Sequence, residues 1–319
     1  MNVVRYGVDE IVYNKNTALT VGTFDGVHCG HQGIISAMKD VAAKNKERTV
    51  VVTFDPHPQI VLARANKEPL RLLSGIEERC ERLAECGIEL VVVIPFTLEF
   101  ARTPAEEFVR QVIVETIGVQ HFFIGHDHSF GKDRGGNEEL LQQLGKDLGF
   151  SVISVPPLVC DGRVVSSTKV RLALRQGNIN EARDMLGRRF AIRGTVQHGD
   201  GRGQTLGIPT ANIKPVEQFA LLPANGVYVV SSVIDGVQQF GMANIGVRPT
   251  FTTDATPSLE VHYLNVSADL YGKVLDVEFH QSLRNEKKFA SAEEFLNQLE
   301  LDKKQTQNYQ QLFHERSSS

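Results

Sequence analysis

Gly22-Thr23-Phe24-Asp25-Gly26-Val27-His28-Cys29-Gly30-His31 decides the first half of the chain. It follows an apolar run at residues 18–21. It precedes Ile34, Ile35, Met38, Val41 and Ala42, which share one face at helical spacing, while Lys39, Lys44 and Lys46 fall outside it. A glycine-rich turn between a buried strand and a helix presents backbone N–H groups and the positive end of a helix dipole, which favours a bound phosphate. Gly22, Gly26 and Gly30 let the chain turn and approach a ligand closely, and His28 and His31 can donate hydrogen bonds to phosphoryl oxygens. Charge developing on a transferred phosphoryl group needs such donors. On spacing alone, two histidines three apart suit capping, packing or a stray metal ion equally well.

Outward from this turn, the apolar runs at 49–54, 90–94 and 121–124 read as further buried strands, with amphipathic stretches between them. Ser74 is positioned to cap a helix reaching Cys86, and Thr103-Pro104 with Glu106 and Glu107 opens another. The β-α-β-α order favours a parallel sheet. From about residue 190 the pattern changes. Residues 227–233, Asp235-Gly236 and 237–244 form a hairpin pattern, 259–266 and 274–279 read as strands, and 292–313 as an amphipathic helix. The second half is therefore expected to be a small β-barrel or sandwich with a terminal helix. A short helix from Ile179 closes at Gly187, which sets the expected domains at 1–187 and 188–319.

A chain of 319 residues can bury two cores, and 41% apolar with 23% charged residues is ordinary for a soluble folded protein. The net charge of -4 supplies no global basic field, so nucleic acid is not an expected partner. Cys29, Cys80, Cys86 and Cys160 form no CxxC pair, which suits thiols in a reducing compartment. The amino-terminal residues lack a signal-peptide pattern, and no run approaches the roughly 18 apolar residues of a membrane helix. A cytoplasmic protein with no membrane partner is expected, and a homo-oligomer is left open.

Three other segments carry chemistry. Val165-Ser166-Ser167-Thr168-Lys169-Val170-Arg171 precedes a helical stretch, and its hydroxyls with Arg171 suit either a triphosphate or a plain N-cap. Gly199-Asp200-Gly201-Arg202-Gly203 and then Gly207-Ile208-Pro209-Thr210-Ala211-Asn212 supply a glycine-rich loop and a turn bearing a hydroxyl and an amide. The absence of GxxxxGK[ST] excludes a P-loop. Glu260 in Leu259-Glu260-Val261-His262 is either the polar face of an alternating strand or a general base, and the charged run 284–288 by itself suits a solvated face.

In order, these motifs resemble the prokaryotic bifunctional riboflavin kinase/FAD synthetase family: the GxFDGxHxGH turn, Thr53-Phe54-Asp55-Pro56-His57-Pro58, residues 165–171, GxPTAN at 207–212, Asn244-Ile245-Gly246-Val247-Arg248-Pro249-Thr250-Phe251, Leu259 to His262, and Leu283-Arg284-Asn285-Glu286-Lys287-Lys288-Phe289. The resemblance spans about Ala18 to Tyr309. It implies a Rossmann-like nucleotidyltransferase domain followed by a riboflavin-kinase β-barrel. The first domain would adenylylate FMN to FAD, releasing pyrophosphate, and the second would phosphorylate riboflavin to FMN, both with ATP and Mg²⁺. By the same resemblance, His28, His31 and Glu260 are catalytic. Gly22, Phe24, Asp25, Gly30, Asp127, Ser166, Ser167, Thr168, Arg171, Gly207, Thr210 and Asn212 bind nucleotide, Thr210 and Asn212 meet the metal, and Arg284 and Phe289 contact flavin. One departure stands out: His128 follows Asp127 where the family commonly has phenylalanine. Two other readings fit parts of the sequence, an adenylyltransferase with another acceptor and a flavin-binding regulatory protein. The attached GxPTAN segment disfavours the first, and the intact histidines and Glu260 disfavour the second.

Overall fold

The computed structural model describes residues 1–63, 69–125, 130–132, 135–160, 163–198, 209–247, 257–266 and 268–317. The chain divides into two compact units, Met1–Ser167 and Thr168–Ser319.

The first unit runs β1 (Asn2–Arg5), β2 (Thr17–Val21), α1 (Cys29–Asn45), β3 (Arg48–Asp55), α2 (Pro58–Val61), α3 (Ile76–Glu85), β4 (Leu90–Pro95), α4 (Ala105–Phe108) continuing into a π-helical segment (Val109–Ile117), β5 (His121–Gly125), α5 (Glu138–Leu148), β6 (Ser151–Val155) and the hairpin strands β7 (Val159–Cys160) and β8 (Arg163–Val164). Six strands pair in parallel in the order β1-β4-β3-β2-β5-β6. From β2 the chain builds outward first to one side and later to the other, so the order reverses between β2 and β5. That switch point opens a crevice at the carboxyl ends of the strands, where the 22–31 turn lies.

Both faces of this sheet are covered, which explains its nearly continuous apolar strands. Leu19, Val50 and Val52 pack on one side with Phe108, Val112 and Ile113, while Ala18, Val51 and Val91 pack on the other with Ile35, Met38 and Leu83. Each fully buried Leu, Ile, Val or Phe contributes roughly 1.5–3 kcal/mol. Strands β1 and β6 are partly exposed. They therefore lacked the apolar run that marked the central four.

In the second unit lie most of α6 (Ser167–Arg175) and α7 (Ile179–Leu186), then β9 (Ala191–Gln197), β10 (Ala211–Pro215), β11 (Gly226–Ile234), β12 (Val237–Val247), β13 (Pro257–Tyr263), β14 (Val274–Asn285) and α8 (Ala292–Ser317). The six strands close into a barrel ordered β10-β13-β12-β11-β14-β9, which leaves no open sheet edge. Asp235 and Gly236, both at positive φ, turn the β11–β12 hairpin as the Asp-Gly pair leads one to expect. Gly187 closes α7 in the left-handed conformation.

Several local expectations need correction. Gly75, not Ser74, caps α3, because the Ser74 hydroxyl is engaged by the 22–31 turn. Pro104 takes the cap position of α4. Strand β13 stops at Tyr263, whereas β14 continues to Asn285, so Arg284 is a strand residue. By compactness the units part near Ser167, and α6 and α7 go with the second: Ala224 N–H donates to Leu174 O, and α7 contacts β14.

Candidate functional site

The 22–31 turn is held in a strained shape from several sides. Phe24 and Val27 have φ of 47° and 39°, the latter an outlier for a β-branched residue, and Gly26 has φ of 80°. Asp25 is fully buried, and its carboxylate accepts from Leu73 N–H (3.0 Å) and Ser74 N–H (3.0 Å). Ser74 Oγ accepts from Gly26 N–H at 2.9 Å. The Asp25 carboxylate thus fastens the turn to the segment before α3.

His28 caps α1: its Nδ1 accepts from His31 N–H at 3.3 Å, which leaves Nε2 to carry the ring proton of the neutral tautomer. The His28 and His31 rings stack at 3.6 Å with 16° between planes, and the Phe24 ring lies 4.9 Å from His31. The turn therefore assembles the two histidines at the amino end of a 17-residue helix. Gly30 suits this close packing, because a Cβ there would sit 3.1 Å from the His28 ring, which would have to shift by a few tenths of an ångström.

The start of α6 reaches the same turn, where Ser167 Oγ donates to Asp25 O at 3.1 Å. Ser166 is half-buried beside it. Thr168 and Arg171 lie farther along α6, exposed and nearly buried respectively, in the part of the helix that belongs to the second unit.

In the barrel, strand register lines up the candidate groups. Asn212 on β10 stands opposite Glu260 on β13, Glu260 opposite Asn244 on β12, Asn244 opposite Val227 on β11, and Val227 opposite Arg284 on β14. Directly opposed residues share a face, so one row across five strands carries amide, carboxylate, amide, apolar and guanidinium groups in turn. A cavity of about 340 Å³ borders this row and is lined also by Thr210, Met242, Phe289, Phe295 and Leu299. Its size and mixed lining suit a small organic ligand.

The Arg284 guanidinium is fixed by Asp302 of α8, with Nε and Nη2 each 2.9 Å from Oδ2, while Gln298 Nε2 donates to Asp302 Oδ1 at 2.9 Å. Arg284 also lies 5.6 Å from the Phe289 ring centroid, and Phe289 meets Phe295 edge-on at 5.4 Å. Phe295, Leu299 and Asp302 were not singled out from sequence, and Asn244 was named only within a motif, with no role of its own. Asn244 could have been found by counting the hairpin register back from Asp235-Gly236. The α8 residues carry no local signal of their own. Asp127, with His126 and His128, and Gly207, with the 199–203 loop and Arg248, lie outside the described residues.

Comparison with known proteins agrees with this two-site arrangement. A FAD synthetase family model matches residues 10–169 and a riboflavin kinase model matches residues 186–310. The bifunctional riboflavin kinase/FMN adenylyltransferase of Listeria monocytogenes is 36% identical over 294 residues, 92% of each chain. That of Escherichia coli K12 is 38% identical over 290 residues (90% of this chain, 91% of the relative), and that of Pseudomonas fluorescens 39% over 280 residues (88% of each). Among solved structures, a Streptococcus pneumoniae protein described as a macrolide-efflux protein superposes with a TM-score of 0.82 at 31% identity, covering 93% of this chain and 99% of that one. That likeness establishes a shared fold; the efflux description stays with that protein, and among the described residues here no helix is long and apolar enough to cross a membrane. With both family models matched in order and relatives aligned over about nine-tenths of its length, the chain belongs to the bifunctional riboflavin kinase/FMN adenylyltransferase family.

Proposed function

We propose that the chain houses its two reactions in separate sites, one in each unit. The protein phosphorylates riboflavin to FMN and adenylylates FMN to FAD. The observation that carries the assignment is that each unit holds its own set of groups: the His28–His31 pair on the turn before α1, and the Asn212-Glu260-Asn244 row beside the barrel cavity.

In the barrel, Glu260 accepts the proton of the terminal ribityl hydroxyl while that oxygen bonds to the γ-phosphorus of ATP, and the bond to the bridging oxygen breaks to release ADP. Asn212 and Asn244 flank the carboxylate and orient the hydroxyl. The Thr210 hydroxyl and the Asn212 amide are hard oxygen donors of the kind Mg²⁺ accepts alongside nucleotide phosphates, and the ion, when bound, offsets phosphate charge. Arg284, locked by Asp302, and the Phe289–Phe295 pair give the isoalloxazine ring a flat, partly charged wall.

In the first unit, a phosphate oxygen of FMN attacks the α-phosphorus of ATP in line and pyrophosphate leaves, with no covalent enzyme intermediate. His28, protonated at Nε2, donates to an α-phosphoryl oxygen as charge builds on it, and the amino end of α1 adds its dipole. The Ser166 and Ser167 hydroxyls, the latter hydrogen-bonded to Asp25 O on the turn, are the first unit's own groups for the triphosphate. Both reactions consume ATP, in keeping with a cytoplasmic enzyme.

A time course with riboflavin, ATP and Mg²⁺, resolving all three flavins, tests the assignment. FMN should rise first and FAD follow. FMN without FAD would sink the adenylyl site, and no product at all would overturn the reading.

A further inference from the structure

Beneath the strained turn lies a cation that neither reaction accounts for. Arg79, on α3, is fully buried. Its Nη1 donates to Phe54 O at 2.9 Å and to Thr53 Oγ at 3.3 Å, whereas among the described residues Nε and Nη2 meet no acceptor. A buried guanidinium with only part of its fork satisfied is costly, and such a group is retained only where it secures something. Thr53 Oγ, itself fully buried, donates in turn to Thr23 O at 3.1 Å. A hydrogen-bonded chain therefore runs from α3 through the end of β3 into the residue before Phe24.

The 22–31 turn needs such support. Phe24 and Val27 sit at positive φ, a conformation that persists only when neighbours over-determine it. On one side, the segment 73–74 grips the Asp25 carboxylate and the Gly26 N–H. On the other side, Arg79, one helical turn further along the same segment, grips Thr23 through Thr53. The two clamps bracket Phe24, whose ring lies against His31. We infer that Arg79 and Thr53 are positioning residues for adenylyl transfer: they hold the turn in the strained conformation that presents His28 and His31, without touching either substrate. This rests on the assignment of FAD formation to the first unit.

The test is steady-state FAD formation from FMN and ATP by the full chain carrying Thr53→Val, Thr53→Ser, Arg79→Met or the double change Thr53→Val/Arg79→Met, with FMN formation from riboflavin as internal control. Thr53→Val should lower kcat for FAD at least about tenfold with KM for ATP changed less than about threefold. Thr53→Ser, which keeps the hydroxyl, should restore most of it, and the double variant should be no worse than Arg79→Met because the two act in series. FMN formation should be unaffected throughout. Wild-type kcat in Thr53→Val, or losses that multiply in the double variant, would overturn the inference. A wild-type chain that makes FMN but no FAD would instead overturn the underlying assignment. Should Thr53→Val not fold, Arg79→Lys decides: it should lower kcat and speed hydrogen exchange at the Gly26 and Val27 amides, and wild-type values of both would overturn the inference.

Discussion

Lowering the pH from 7 towards 4 should loosen α8 from the barrel, and with it one wall of the flavin cavity, through a single residue. His280 on β14 is 3% exposed and enclosed by Phe240, Phe313 and Tyr309, with the Arg189 guanidinium nearby. Gln238 Nε2 donates to Ser231 Oγ at 3.1 Å, which leaves the Ser231 hydroxyl to donate to His280 Nε2 at 2.8 Å. His280 Nδ1–H then donates to Tyr309 OH on α8 at 3.3 Å. This chain needs a neutral imidazole. Burial, helped by Arg189, pushes the pKa of His280 from 6.5 down to about 3. Between those values the unfolded chain binds a proton that the folded chain refuses. Stability from this residue is therefore complete above pH 6.5 and is lost as pH falls. Each pH unit costs about 1.4 kcal/mol, so the loss is about 3 kcal/mol at pH 4 and approaches about 5 kcal/mol near pH 3. Urea unfolding followed by circular dichroism at pH 7, 5.5 and 4 measures it, the chain having no tryptophan for fluorescence. Wild type should lose stability more steeply than His280→Gln by about one proton's worth, and riboflavin binding should weaken in parallel. Equal pH slopes in the two proteins would refute the reasoning.

Two substitutions probe the sites more directly. Gly30→Ala places a Cβ 3.1 Å from the His28 ring and should cut FAD formation at least about tenfold while leaving FMN formation intact, as a coupled assay would read. Asp302→Ala strips Arg284 of its carboxylate and should cost about 2–3 kcal/mol in the second unit's unfolding free energy, with a raised KM for riboflavin; an unchanged KM would remove Arg284 from the flavin wall.

Much of this was legible in residue order. The central strands announced themselves because a doubly covered parallel sheet leaves no polar alternation, and Asp235-Gly236 marked its hairpin through the positive φ it must adopt. The histidine pair could be located but not oriented, because the stacking of its rings is set by the three-dimensional packing of the turn. Asp25 illustrates the limit best. Its carboxylate takes hydrogen bonds from Leu73 and Ser74, which no local pattern connects to it. Glu260 was named from the resemblance, but its neighbours were not: the barrel register sets it between Asn212 and Asn244, residues 32 positions apart in the chain. Asp302 was invisible for the same reason, since a lone acid on an amphipathic helix ordinarily faces water.

The claim that two independent sites share this chain is tested most directly by changing one residue in each. His28→Ala should abolish FAD formation from FMN and leave riboflavin phosphorylation at the wild-type rate, and Glu260→Ala should do the reverse, both measured on protein whose circular dichroism matches wild type. Loss of both activities from either single change in such folded protein would contradict it.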